Sequence, residues 1–107
     1  MIGRSTAFTA MTAAAQNLPI TADMAMEPQG SGTRLIMKCE YKGEAGTRRS
    51  YKLMVVPKGG SPEKATDWSA GQGDEFAYDG HTTLKPTEID RVEIWSADNR
   101  VLMVYRP

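Results

Sequence analysis

Leu35, Met37, Cys39 and Tyr41 occupy alternate positions, with Arg34, Lys38 and Glu40 between them. Side chains of a strand point to opposite faces with a period of two, so this segment reads as a strand with one buried and one wet face. The pattern predicts a strand over 33–41. Ile20, Ala22, Met24 and Met26 alternate in the same way, and predict a strand over 19–27 that ends at Pro28. The loop Gln29-Gly30-Ser31-Gly32 makes the two a hairpin. Tyr51, Leu53 and Val55 define one face of a third strand over 50–56. Met54 and Val56 occupy its other face, which points to cover on both sides. Pro57-Lys58-Gly59-Gly60-Ser61-Pro62 must break it.

Two shorter strands are expected over 65–70, around Trp68, and 75–79, around Phe76 and Tyr78, with a turn at Gly71-Gln72-Gly73-Asp74. Pro86 to Asp90 reads as one helical turn, with proline in an early position. Val92 and Ile94 then alternate with Arg91, Glu93 and Trp95. Ala97-Asp98-Asn99-Arg100 supplies turn chemistry before the apolar run at Val101 to Val104. This is a closing hairpin, because Asp and Asn tolerate the left-handed backbone of tight turns. At the amino terminus Phe8 to Thr12 alternates weakly, as a first edge strand would. Thr12 to Gln16, with three successive alanines, equally suits a helical turn. The reading is all-β: an immunoglobulin-like antiparallel β-sandwich, by architecture, of about seven or eight strands. Residues 1–17 form a linker or edge strand and residues 18–107 a single domain.

Composition narrows the function classes. The 107 residues suit one domain, and ten Gly and six Pro suit a turn-rich β fold. Thirteen basic and thirteen acidic residues balance, with no basic stripe. Nucleic acid is therefore not an expected partner, since phosphate contacts supply most of such affinity. No apolar run approaches the roughly eighteen residues of a membrane span, and the first residues lack the apolar core of a signal peptide. The chain reads as soluble, or as a fragment whose anchor lies upstream.

Candidate chemistry is sparse. His81 is the lone histidine and reads as an exposed loop residue, because general base catalysis needs an orienting partner and a nucleophile within reach. Cys39 is the lone cysteine; it excludes an internal disulfide and reads as a core thiol on the inward face of its strand. One His and one Cys do not make a zinc set, and no metal or other cofactor is implied. Asp74, Glu75 and Asp79 lack calcium-loop spacing and read as solvated turn residues. Gly71-Gln72-Gly73 lacks the remainder of a dinucleotide fingerprint. Glu88, Asp90 and Glu93 lie close in sequence with nothing to raise their acidity constants. Trp95 is the most suggestive residue. If Val92 and Ile94 point inward, Trp95 must point away from the core. There it serves either as a partner anchor beside Arg91 or Glu93, or as a side chain covered by Leu102 or Val104 across the hairpin. No catalytic residue is assigned, so the chain is not expected to be an enzyme, and a small hydrolase ranks last.

Several blocks together resemble a known domain. Gly32-Thr33-Arg34-Leu35-Ile36-Met37-Lys38-Cys39-Glu40-Tyr41, Tyr51-Lys52-Leu53-Met54-Val55-Val56-Pro57, Trp68-Ser69-Ala70-Gly71-Gln72-Gly73, Gly80-His81-Thr82-Thr83-Leu84 and Ile89-Asp90-Arg91-Val92-Glu93-Ile94 occur in one order. They resemble the extracytoplasmic C-terminal domain of actinobacterial, membrane-anchored, zinc-finger type anti-sigma factors. Gly3-Arg4-Ser5-Thr6-Ala7 is similar to the stub that leaves the membrane in such proteins. The resemblance implies a noncatalytic sensory or regulatory domain outside the cell membrane. Through it a ligand or protein would control an extracytoplasmic-function (ECF) sigma factor and so transcription. The sigma factor would be met only through a cytoplasmic segment, and the membrane only through an upstream helix, both absent from this chain. No sigma-binding or metal residue can be carried over. The alternative expectation is a secreted sandwich that binds carbohydrate or protein in adhesion, with an exposed aromatic platform.

Overall fold

The structure is a computed structural model, and it describes residues 7–107. Among the described residues the chain forms nine strands: β1 (Thr9–Ala10), β2 (Thr12–Ala13), β3 (Ile20–Gln29), β4 (Gly32–Tyr41), β5 (Arg48–Pro57), β6 (Glu63–Gly71), β7 (Glu75–Thr82), β8 (Ile89–Ser96) and β9 (Val101–Tyr105). Pro86–Glu88 is a 3-10 turn. All pairings are antiparallel, in a four-stranded sheet of order β1-β3-β4-β7 and a five-stranded sheet of order β2-β9-β8-β5-β6.

Two amphipathic sheets close on each other because each has one apolar face to bury. Met24, Leu35 and Met37 of the first sheet meet Leu53, Val55, Val92 and Ile94 of the second, all but sealed from solvent. The alternation read from the sequence is therefore the core. By layers this is the expected sandwich. In the first sheet β3 pairs directly with its hairpin partner β4, with β1 on its other edge and β7 beyond β4.

Four details differ from the sequence reading. The strand expected to stop at Pro28 continues to Gln29, and only Gly30 and Ser31 form the turn. Beyond Asp23 and Met24, β3 has no second neighbour, so the N–H that proline lacks would have faced an open edge. β6 and β7 extend past the expected 65–70 and 75–79, because long partners in β5 and β4 satisfy their backbones. Residues 12 and 13 form a strand on β9 rather than a helical turn. The amino-terminal stretch thus divides between sheets, giving seven long strands and two short ones. Gly3 to Thr6 of the stub lie outside the described residues.

That dividing segment is a strap. Thr9 and Ala10 pair with Met24 and Asp23 of the first sheet, and Thr12 and Ala13 with Val104 and Met103 of the second. Between them Met11 is buried, and its N–H donates to Ala22 O at 2.8 Å. Among the described residues no helix is long and apolar enough to cross a membrane.

Candidate functional site

Four connections gather at one end of the sandwich: residues 15–19 after β2, 42–47 between β4 and β5, 71–72 after β6, and 96–100 between β8 and β9. They wall a half-open cleft of 1130 Å³. Their positions are held from within. Lys42 N donates to Pro19 O (2.7 Å) and Gly73 N to Tyr41 O (2.9 Å), so the first three walls are tied together. Lys52 Nζ donates to Asn99 Oδ1 (2.5 Å), and this fixes the fourth wall against β5. Asn99 has the left-handed backbone (φ 65°) expected of the turn.

Tyr41 and Tyr51 line the cleft on its inner side, and Trp68 and Phe76 stack on from Tyr51 outside the lining. Tyr41 of β4 and Tyr51 of β5 face each other across the two sheets with ring centroids 5.2 Å apart. Tyr51 stacks on Trp68 at 5.9 Å, and Trp68 on Phe76 at 4.7 Å. The Trp68 indole N–H donates to the Tyr41 hydroxyl. Burial disfavours the phenolate, so the pKa values of Tyr41 and Tyr51 both rise. Cys39 lies behind this group, and burial pushes its thiol up to about 11. It is a core thiol, as its place on β4 implied.

The charged lining is unequal. Lys42, Arg48, Arg49 and Arg100 are cationic, while Glu44 and Asp98 are anionic. Arg48 is committed: it reaches Asp74 Oδ2 and Ser69 O, each at 3.1 Å. Asp74 in turn accepts from Gly71 N (2.9 Å), and this bond followed by Arg48 holds its carboxyl below the usual range. Asp98 accepts from the Ser96 hydroxyl, which with nearby Arg100 lowers its pKa. Arg49, on the same face of β5 as Tyr51, and Lys42 make no side-chain hydrogen bond or ion pair among the described residues.

Trp95 lies elsewhere, on the outer face of the second sheet, half-buried. Its indole N–H donates to Glu93 Oε1 at 2.9 Å. Arg91 Nε donates to Glu93 Oε2 at 2.8 Å and Arg91 Nη1 to Asp90 Oδ2 at 2.6 Å, while Arg106 stands 3.6 Å from the same Asp90 oxygen. The bonds to Glu93, then Asp90, push the pKa of Arg91 further up. Glu93 is only 6% exposed, beside buried Met54 on β5. The alternation placed Glu93 on the outer face and gave no sign of its burial. The signal was the i, i+2 spacing of Arg91, Glu93 and Trp95, which puts three side chains in one row.

The remaining candidates are dispersed. His81 is exposed at the hairpin end of the first sheet, where Ser31 Oγ is 3.4 Å from its Nε2. That spacing is long for a hydroxyl–imidazole bond, and the nearest orienting carboxylate, Asp79, is held by Arg34 at 2.5 and 2.8 Å. Glu75 pairs in register with Glu40, apart from Asp74 and Asp79 in their separate ion pairs. Glu88 caps its own turn by accepting from Lys85 N (2.7 Å), so it stands apart from the Asp90–Arg91–Glu93 cluster. Among the described residues no three His, Cys, Asp or Glu side chains gather to hold a metal. No family model matches this chain, and no curated protein or solved structure matches it.

Proposed function

We propose that this domain is a noncatalytic recognition module, the extracytoplasmic sensory part of a membrane-anchored anti-sigma factor that controls an ECF sigma factor. One observation carries the regulatory reading. The amino-terminal segment both straps the two sheets together and, through residues 15–19, walls the end cleft. In the proposed protein this segment leads back toward the membrane. Its attachment is slight: two strands of two residues each, Met11 N to Ala22 O, and Ala14 N to Leu102 O at 2.8 Å. A ligand that contacts residues 15–19 only when the strap is docked favours the docked state by its differential affinity. Occupancy of the cleft is thereby converted into the position of the segment next to the membrane.

The family assignment rests on the ordered blocks, which lie on β4, β5, the end of β6, the end of β7, and β8. A secreted carbohydrate-binding module calls for an aromatic platform open to solvent. Trp68 is buried and the N–H of Trp95 is occupied by Glu93, which favours the sensory reading.

The test uses the full reading frame expressed in its own cell. The protein should fractionate with membranes and retain a sigma factor on purification. Substitution of Met11 by Asp, which loosens the strap, should change transcription from that sigma factor's promoters. A reading frame with neither a membrane span nor a sigma-binding segment overturns the proposal.

A further inference from the structure

We infer that the end cleft binds a small molecule through an oxyanionic group, a carboxylate or a phosphate, held by Arg49 and Lys42 with Arg100 facing them from the β8–β9 turn. The inference rests on reading the cleft as the sensory site, and it names the chemistry of what is sensed.

Several of the protein's other cations have committed partners. Arg34 is clamped between Asp79 and Glu27, Arg91 between Glu93 and Asp90, and Arg48 is held by Asp74. Lys64 pairs with Asp67, and Lys38 lies 4.1 Å over the Phe8 ring. These cations have partners in place. In the cleft, beside the Arg48–Asp74 pair, Lys42, Arg49 and Arg100 face two carboxylates, Glu44 and Asp98, a formal excess of one positive charge in a chain whose formal net charge is zero.

Arg49 is the informative member. β5 alternates, so Arg49 shares the inward face with Tyr51, Leu53 and Val55. Arg49 is exposed at the start of β5, two residues before buried Tyr51, and among the described residues no carboxylate pairs with its guanidinium. Its positive charge is close enough to Tyr51 to oppose the rise that burial imposes on that phenol. A guanidinium offers a planar fork of donors that matches a carboxylate or phosphate in two parallel bonds. Partial enclosure strengthens such a pair relative to open water. Lys42 adds a point charge from a wall whose backbone is already tied to Pro19. The half-open cleft, at 1130 Å³, lies just above the roughly 300–1,000 Å³ usual for small-molecule sites, so it has room for one. Arg34, Arg48, Lys64 and Arg91 on the strands are held in ion pairs, so a polyanion has little to follow beyond the cleft.

The test is a two-dimensional NMR titration of the 107-residue chain with inorganic phosphate and, separately, acetate, at constant ionic strength set with sodium chloride. Saturable shifts should concentrate at residues 42–49 and 96–100. Arg49→Gln should weaken binding about tenfold, the loss of one charge-assisted fork, while Lys58→Gln on the β5–β6 turn leaves it unchanged. The tighter of the two anions identifies the group. Among the described residues the Arg49 side chain makes no hydrogen bond, so its variant should keep native peak dispersion; Arg100→Gln repeats the test if it does not. Shifts spread equally to Lys58 and Lys85, no saturation, or affinity indifferent to both variants overturn the inference. Such a failure removes the anion and not the sensory role, which the sigma-dependent transcription assay tests separately.

Discussion

Trp95 donates its indole N–H to Glu93 Oε1 across 2.9 Å, and the other carboxylate oxygen accepts from Arg91. The carboxylate is thus spanned by two donors from its own strand, on the face of the second sheet that looks away from the core. Burying a charge requires such satisfaction, because an unpaired carboxylate sheltered from water is strongly disfavoured. The row organises the outer face; the ligand chemistry lies at the end of the sandwich.

Glu93→Ala removes the acceptor from both donors and should destabilise the domain by about 2 kcal/mol, within the range for deleting one partner of a sheltered charged hydrogen bond. Glu93→Gln keeps an acceptor for Trp95 and should lose less. Urea midpoints at unchanged m-value give the comparison. Equal stability of the alanine variant and the parent would show that the row contributes nothing.

Gly32 opens β4 with a φ of +150°, and a Cβ there would stand 2.0 Å from Thr82 O on the neighbouring strand. Gly32→Ala should therefore cost about 3 kcal/mol or prevent folding, since backbone rather than a flexible side chain must move. Gly30, one turn residue away, has open space around it, and its alanine variant should stay within about 0.5 kcal/mol of the parent. Thermal melts of both variants decide the matter; similar losses would refute the close approach as the cause.

Tyr41→Phe leaves the buried Trp68 N–H without its acceptor. A loss of about 1–3 kcal/mol is expected in chemical denaturation. Tyr78→Phe removes only a 3.3 Å bond to Ala65 O from a half-buried side chain and should cost under about 1 kcal/mol. The order of the two losses is the prediction.

Alkaline pH should weaken the fold through Cys39 and Tyr41. Both groups hold their protons more tightly when folded, because burial disfavours the charged form. The unfolded chain therefore binds fewer protons once pH passes the ordinary thiol value of 9.0, and stability falls from there through about 11 for Cys39. Below pH 9.0 the Cys39 contribution is complete and flat. Denaturation midpoints between pH 8 and 11 should drop, and Cys39→Ala should flatten part of the slope. A parent profile that is level or rises across this interval contradicts the assignment.

The parts of the fold visible in the sequence were those set by alternation. β4, β5 and β8 show their buried faces in single runs, and Leu35, Met37, Leu53, Val92 and Ile94 are core residues as read. The strap was ambiguous because four paired residues carry little local preference; its strands exist through hydrogen bonds to β3 and β9. Glu93 read as a wet-face residue because alternation tells which face a side chain takes and not what covers that face. Nothing in the local sequence distinguishes Arg49 from its neighbour Arg48. Only the register of β5 against β6, and the fate of Arg48 at Asp74, separate a committed arginine from one without an ion pair.

The sequence by itself determined the class of fold and the inward faces of the long strands, because periodicity is a local property and each apolar face must be buried. The tertiary structure alone decided how the strands divide between two sheets, which four connections meet, and where positive charge is left without a partner. Those outcomes depend on pairings between residues far apart in the chain, such as Thr12 with Val104 and Tyr41 with Tyr51, and no local pattern encodes them.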